Sequence, residues 1–247
     1  MTPSIPQSGP TRSVRHRGLA ILIVAVGVIL GWNLLGPRGV LSGADGGAFE
    51  RPAPGCTLGD TLTPRRDPLD WGWTLLDTEY ALAPGDAPPD LVPVTTAGVR
   101  GGGQVRALVI DDLRALQEAA DRAGVTFTVR SGYRSYDQQA ATFNSLERAY
   151  GREHALVSAA RPGHSEHQLG TTIDIDGGGA WFARQARRYG FVMSYPPDRS
   201  PEWSCYKPEP WHFRYFGRTI AKAIHLSGLT AREWLWAHQG DAARADP

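Results

Sequence analysis

Lysine is almost absent from this 247-residue chain. Lys207 and Lys222 are the only two, while arginine is abundant. That skew reads as codon bias rather than as a functional device. Excess charge is also missing, since the formal net charge is only +1. Residues 1–44 hold Arg12, Arg15, Arg17 and Arg38 and no carboxylate. The remainder carries 22 basic and 25 acidic side chains, a balance of −3. A slightly acidic body gives no electrostatic footprint for nucleic acid, and no such partner is expected. Cysteine is scarce too. Cys56 and Cys205 lie too far apart for a zinc ribbon, and two thiols do not make a Cys-rich structural zinc site. No internal repeat is visible. Hydrophobic residues make up 41%, enough for one domain with a sizeable core.

What is present begins with an apolar run. Residues 18–35 read GLAILIVAVGVILGWNLL, uncharged, with three arginines before them. The run meets the roughly 18-residue length of a membrane helix and exceeds the roughly 7–15 residues of a signal core. It predicts a signal-anchor over 18–36, with a cytoplasmic tail at 1–17 and the rest of the chain outside. Cleavage after Ser42-Gly43-Ala44 is the rival reading. An exported domain sits where disulfides persist, so Cys56 and Cys205 are expected to pair.

Residues 37–70 are rich in Gly, Pro and charge and read as a linker or stalk. A folded domain is expected over 71–238, with a flexible tail at 239–247. Residues 84–103 read as a long ordered loop. Apolar periodicity predicts helices over 105–123, 136–150, 180–189, 218–226 and 231–238. Strands are expected over 125–129, 171–176, 191–195 and 211–215. Helices and strands mix without a steady βαβ alternation, so the fold class is α+β with a small, mainly antiparallel sheet.

The chemistry concentrates in two stretches, Ser165-Glu166-His167-Gln168-Leu169-Gly170-Thr171-Thr172-Ile173-Asp174 and Glu209-Pro210-Trp211-His212. Side chains two apart on a strand share a face, so Thr172, Asp174 and Asp176 point one way and Ile173 and Ile175 point to the core. Either aspartate is able to bind metal. His167 precedes this strand in a polar loop, and His212 starts another strand. Two histidines, one carboxylate and an open fourth position suit a catalytic zinc, with Glu209 set apart as the base that water activation needs. His164 is a competing ligand, and Trp211 and Phe213 read most simply as core aromatics.

These residues resemble a known family. Ser165 to Asp174 is similar to the S-x-H-x-x-G-x-A-x-D signature of the VanY-type D-alanyl-D-alanine carboxypeptidases, with Thr172 in the alanine position. These are hedgehog- and lysostaphin-like zinc metallopeptidases. Glu209-Pro210-Trp211-His212-Phe213-Arg214-Tyr215 resembles the second signature. Ser131-Gly132-Tyr133-Arg134-Ser135-Tyr136, followed by Gln139, resembles the substrate-binding stretch. The resemblance implies that His167, Asp174 and His212 bind Zn²⁺, which selects Asp174 over Asp176. It implies that Glu209 is the catalytic base, that Arg134 steadies the oxyanion or substrate carbonyl, and that Ser131 and Gln139 hold the peptide. The implied function is removal of the terminal D-alanine from a peptidoglycan stem peptide. An L,D-carboxypeptidase, a wall endopeptidase and a non-catalytic wall-binding domain are the alternatives. Thr172, Ser194 (where the family often has arginine), Pro208 and the Ser200–Lys207 stretch depart from the pattern and bear on substrate preference.

Overall fold

The computed structural model describes residues 53–64, 67–199 and 201–239. The 1–17 tail, the 18–36 apolar run and nearly all of 239–247 lie outside the described residues. Among the described residues, no helix is long and apolar enough to cross a membrane.

Two short ladders come first. β1 (Thr61–Leu62) pairs in parallel with β2 (Tyr80–Ala81), and β3 (Leu91–Pro93) pairs antiparallel with β4 (Gln104–Arg106). Next follow α1 (Ile110–Arg122), β5 (Phe127–Ser131), α2 (Tyr136–Tyr150), α3 (Arg152–Ser158) and β6 (Thr172–Gly177). The chain continues through α4 (Gly179–Gln185), β7 (Phe191–Met193), α5 (Pro201–Ser204), β8 (His212–Tyr215), α6 (Gly217–Ser227) and α7 (Ala231–Ala237). Four strands form the main sheet, in the order β5-β6-β8-β7, all antiparallel. The fold is therefore α+β.

One face of this sheet is the core. Ile173 and Ile175 of β6, Phe127 and Val129 of β5 and Phe213 of β8 are buried with Leu113, Leu116 and Ala120 of α1. Phe182 of α4 packs edge-on against Phe127 and Phe213, with ring centroids 4.8 and 4.7 Å away. Each such side chain contributes about 1.5–3 kcal/mol when buried. Because strand side chains alternate, filling this face with Ile and Phe commits their neighbours on β6 and β8 to the other face.

The helix expected from Val105 starts later, at Ile110. Residues 104–106 are taken by the ladder with 91–93 and by the Arg106 amide, which donates to the Gly170 carbonyl. Leu108 consequently sits on an exposed turn. By contrast α2 spans the expected residues. Ser135 and Gln138 close a reciprocal capping box at its start, the arrangement that satisfies two orphan amides at a helix N-terminus.

Packed structure also extends well before Trp71, into the stretch read as a stalk. β1 lies there, and so does Cys56, disulfide-bonded to Cys205 with Cα atoms 5.4 Å apart. The bridge closes a sequence separation of 149. For a loop of that length the chain-entropy model gives about 5 kcal/mol of stabilisation. Reduction is therefore expected to lower Tm by about 10–20 °C for a domain of this size. A melt with and without reductant measures this, and an unchanged Tm contradicts it.

Candidate active site

Strand register builds the site. Across the sheet, Ser131 of β5 is opposite Asp174 of β6, and Asp174 is opposite His212 of β8. A register irregularity between Val129 and Ser131 adjusts β5 at this level. His167 comes from a single 3-10 turn, Glu166–Leu169, whose start is capped by Ser165 Oγ accepting from the His167 amide. Gly170 ends the turn in the left-handed region at φ 68°. A side chain there would be strained and would put its Cβ 2.9 Å from Pro88 Cγ. Glycine thus lets the chain turn from the His167 loop straight into β6.

Both histidines have one nitrogen occupied and the other free for a metal. His167 Nδ1 donates to the Gly132 carbonyl at 2.6 Å, which leaves the Nε2 lone pair facing Asp174 Oδ2 at 3.3 Å. His212 is held the other way round. Its Nε2 donates to Glu166 Oε2 at 3.0 Å, and Nδ1 faces Asp174 Oδ1 at 3.2 Å. The three ligand atoms lie within 4.8 Å of one another, and all three side chains are buried. Two ligands about 2.0–2.1 Å from one tetrahedral ion stand about 3.3 Å apart, close to the spacings seen. Asp174 Oδ1 is moreover buried without a hydrogen-bond partner, an orphaned acceptor that a cation satisfies. The donor set fits a metal ion of the zinc type.

Glu166 was not singled out from the sequence, yet it organises half of the site. It is buried, accepts from Ser194 Oγ at 2.6 Å and from Arg214 at 3.0 Å, and holds His212. Burial alone would raise its carboxyl. The Arg214 charge and the hydrogen bonds from His212 and Ser194 outweigh burial and bring it down to about 2. Arg214 is itself fully buried and donates on to the Trp71 and Thr74 carbonyls. A carboxylate behind a metal-facing histidine fixes its tautomer and raises its basicity. Ser194 and Arg214 thus share the support of Glu166, so the Ser194 departure acts on the carboxylate behind the ligand. Thr172, the other departure, is buried and donates to the Glu166 carbonyl at 3.1 Å, bracing the same turn.

Glu209 stands beside the donors, with Oε2 3.5 Å from His212 Nδ1. Its amide donates to the Tyr195 carbonyl at 2.8 Å, fixing the chain before Pro210. Burial raises its pKa against the opposing pull of His212. Arg134 reaches in from the opposite wall, 3.8 Å from Asp174 Oδ2. It donates to Gln139 Oε1 at 2.8 Å and to Ser131 Oγ at 3.3 Å, and Gln139 Nε2 in turn donates to the Ala160 carbonyl at 2.6 Å. Ser131 and Gln139 therefore hold the guanidinium. Glu209, Arg134, Gln139 and the three donor side chains border a cavity of about 150 Å³, walled by Ala159, Ala160, Tyr195, Tyr206 and Trp211.

Other candidates fall away from the centre. Asp176, at the far end of β6, is exposed and pairs with Arg130 at 3.3 Å. His164 is buried between the Asp77 carbonyl, 2.7 Å away, and Asp60. Trp211 is not a core aromatic, being 38% exposed at the cavity wall, whereas Phe213 is buried as expected. β8 starts at His212, so Trp211 precedes the strand and is not held to the core face that Phe213 takes.

Comparison with known proteins agrees with this geometry. The family model "VanY: D-alanyl-D-alanine carboxypeptidase" matches residues 103–218. YodJ of Bacillus subtilis (strain 168) is 33% identical over 179 residues, 65% of each chain, so the chain spans somewhat less than two thirds of that relative. A D-alanyl-D-alanine carboxypeptidase of Enterococcus faecalis (strain ATCC 700802 / V583) is 29% identical over 193 residues, 71% of this chain and 69% of the relative. Among solved structures, the L,D-carboxypeptidase LdcB superposes with a TM-score of 0.60 at 32% identity, covering 65% of this chain and 83% of LdcB. A mutant of the vancomycin-resistance D,D-pentapeptidase VanY, in complex with Zn(II), gives a TM-score of 0.59 at 29% identity, covering 67% and 99%. With matching sequence signatures, sheet and site, this chain belongs to the VanY-type D-alanyl-D-alanine carboxypeptidase family of peptidases.

Proposed function

We propose that the protein is a zinc-dependent D,D-carboxypeptidase that removes the C-terminal D-alanine from peptidoglycan stem peptides, tethered outside the cell membrane by residues 18–36. The observation that carries this reading is the convergence of His167 Nε2, His212 Nδ1 and the unsatisfied Asp174 on one point beside Glu209. A structural zinc site normally fills four protein positions. Here three donors leave room for a reacting group, which favours an enzyme over a wall-binding scaffold. The VanYB structure in complex with D-alanine-D-alanine, 29% identical with a TM-score of 0.59, supports the substrate class.

His167, Asp174 and His212 would hold the zinc, which when bound supplies Lewis acidity that acidifies water and polarises a carbonyl. Glu209 takes a proton from the attacking water and later delivers it to the leaving amine nitrogen. Its burial-raised pKa suits both transfers. Arg134, locked by Ser131 and Gln139, faces the point where negative charge develops on the carbonyl oxygen. Burial lowers its pKa, while Asp174 and Glu209 draw it back up. The small cavity walled by Ala159 and Ala160 suits a short, methyl-bearing terminal residue.

Replacing His167 or His212 by Ala is expected to reduce zinc stoichiometry from one per chain to near zero, read by elemental analysis. Full occupancy in both variants would move the site elsewhere.

The likeness to LdcB favours an L,D-carboxypeptidase as the second reading. Mass spectrometry on a stem pentapeptide ending in D-Ala-D-Ala and on the corresponding tetrapeptide, with and without chelator, separates the two. Chelator-sensitive loss of one D-alanine from the pentapeptide is the expected result. Cleavage of the tetrapeptide alone would establish the L,D activity instead.

A further inference from the structure

A second groove, of about 450 Å³, lies against the catalytic cavity, and among the described residues Trp211 is the one that lines both. Met193, Pro197, Pro210 and, from α4, Ala180 and Ala183 line it. Gly177 and Gly179 line it without side chains. Arg130 and Asp176 supply its charge. The volume lies within the roughly 300–1,000 Å³ typical of ligand sites. The catalytic cavity holds only about 150 Å³, room for the terminal end of a peptide and not for the residues before it.

Three features mark this groove as built to receive chain. Trp211 presents 38% of its surface although it stands between Glu209 and the buried His212. The Arg130 guanidinium lies 5.6 Å from the indole centroid, within cation–π range, so ring and cation hold one another in place. Arg130 also pairs with Asp176 at 3.3 Å, with the two side chains 48% and 60% exposed. An exposed pair of this kind is only weakly held. It gives up its partner readily to a ligand that offers both an ammonium and a carboxylate.

We infer that this groove binds the part of the substrate preceding the scissile bond, and that Arg130 and Asp176 select a peptide bearing a free side-chain amine and a free carboxylate there. The inference rests on the carboxypeptidase reading of the neighbouring cavity. Trp211 is the divide: the terminal residue lies on its catalytic side, and the upstream residues cross the indole into the groove. Binding energy gained remote from the reacting bond is then available to drive chemistry, so truncated substrates react more slowly.

The test compares two probes on the zinc-loaded protein. One is N-acetyl-D-Ala-D-Ala. The other is a pentapeptide with a free diamino-acid side chain and a free carboxylate upstream of D-Ala-D-Ala. The long-to-short ratio of kcat/KM is expected to exceed ten in the wild type and to fall at least fivefold in Arg130→Gln and in Asp176→Asn. Acetylating the free amine of the long peptide should lower the wild-type ratio similarly and should add nothing to Asp176→Asn. Ratios unmoved by both substitutions overturn the inference. Calorimetric titration of the long peptide into Glu209→Gln protein, with and without Arg130→Gln, reads the groove without turnover. A weaker Kd in the double variant supports the groove, and an equal Kd overturns it. If the wild type cleaves neither probe, the carboxypeptidase reading fails by itself while the titration still decides the groove.

Discussion

Glu209→Gln is expected to leave zinc and fold in place and to lower kcat by about 10²–10⁴-fold, the range general acid–base catalysis supplies. Glutamine keeps the shape and the position 3.5 Å from His212 Nδ1, but it cannot take and return a proton. Glu209 is not one of the three converging donors, so metal content should stay at one per chain. The stability effect has the opposite sign to the activity effect. Burial raises the Glu209 pKa, which means the folded state disfavours its charge. A neutral side chain relieves that cost, and Tm should hold or rise. Metal content, Tm and kcat measured on one preparation check the three expectations together. Undiminished turnover would remove Glu209 from the mechanism.

Glu166→Gln is expected to lower zinc affinity by about 10–100-fold, although Glu166 touches no metal. It accepts the His212 Nε2 proton and so directs Nδ1 at the site. It is also the counter-charge of the fully buried Arg214. Removing one partner of a buried ion pair costs about 3–5 kcal/mol, or about 6–20 °C in Tm for a domain of this size. The pH dependence has a definite sign. The folded carboxyl lies at about 2, below its ordinary 4.5. Its contribution is therefore present above 4.5 and lost as pH falls from 4.5 towards 2. The variant should lose the part of the acid sensitivity that falls in that window. Competition with a chromophoric chelator measures the zinc affinity, and a wild-type value would show that His212 needs no support from Glu166.

The donors at the centre were legible because each sits in a short local pattern. His167 and Asp174 flank one turn, and His212 follows Glu209 by three residues, so strand alternation and a ligand inventory reach them. The choice of Asp174 over Asp176 was open to alternation, since both share a face. The structure separates them by position along β6, with Asp174 level with His212 and Asp176 out beside Arg130. Helix α2 was legible to its ends because Ser135 and Gln138 cap it and Gly151 stops it. The start of α1 was not, because residues 104–106 are captured by a strand at 91–93 and by Gly170, partners that no local period reveals. The same reason hid Glu166, whose partners Ser194 and Arg214 lie 28 and 48 residues away. α3 was missed as well, a seven-residue helix with a single buried side chain, Ala155.

The central claim is that one zinc ion sits among His167, Asp174 and His212. Anomalous diffraction from zinc-loaded crystals, recorded on both sides of the zinc edge, tests it most directly. The account predicts one peak about 2.0–2.2 Å from His167 Nε2, His212 Nδ1 and an Asp174 oxygen, with the Glu209 carboxylate outside that shell. A peak at other side chains, or a zinc-loaded crystal with no peak between these three, would contradict it.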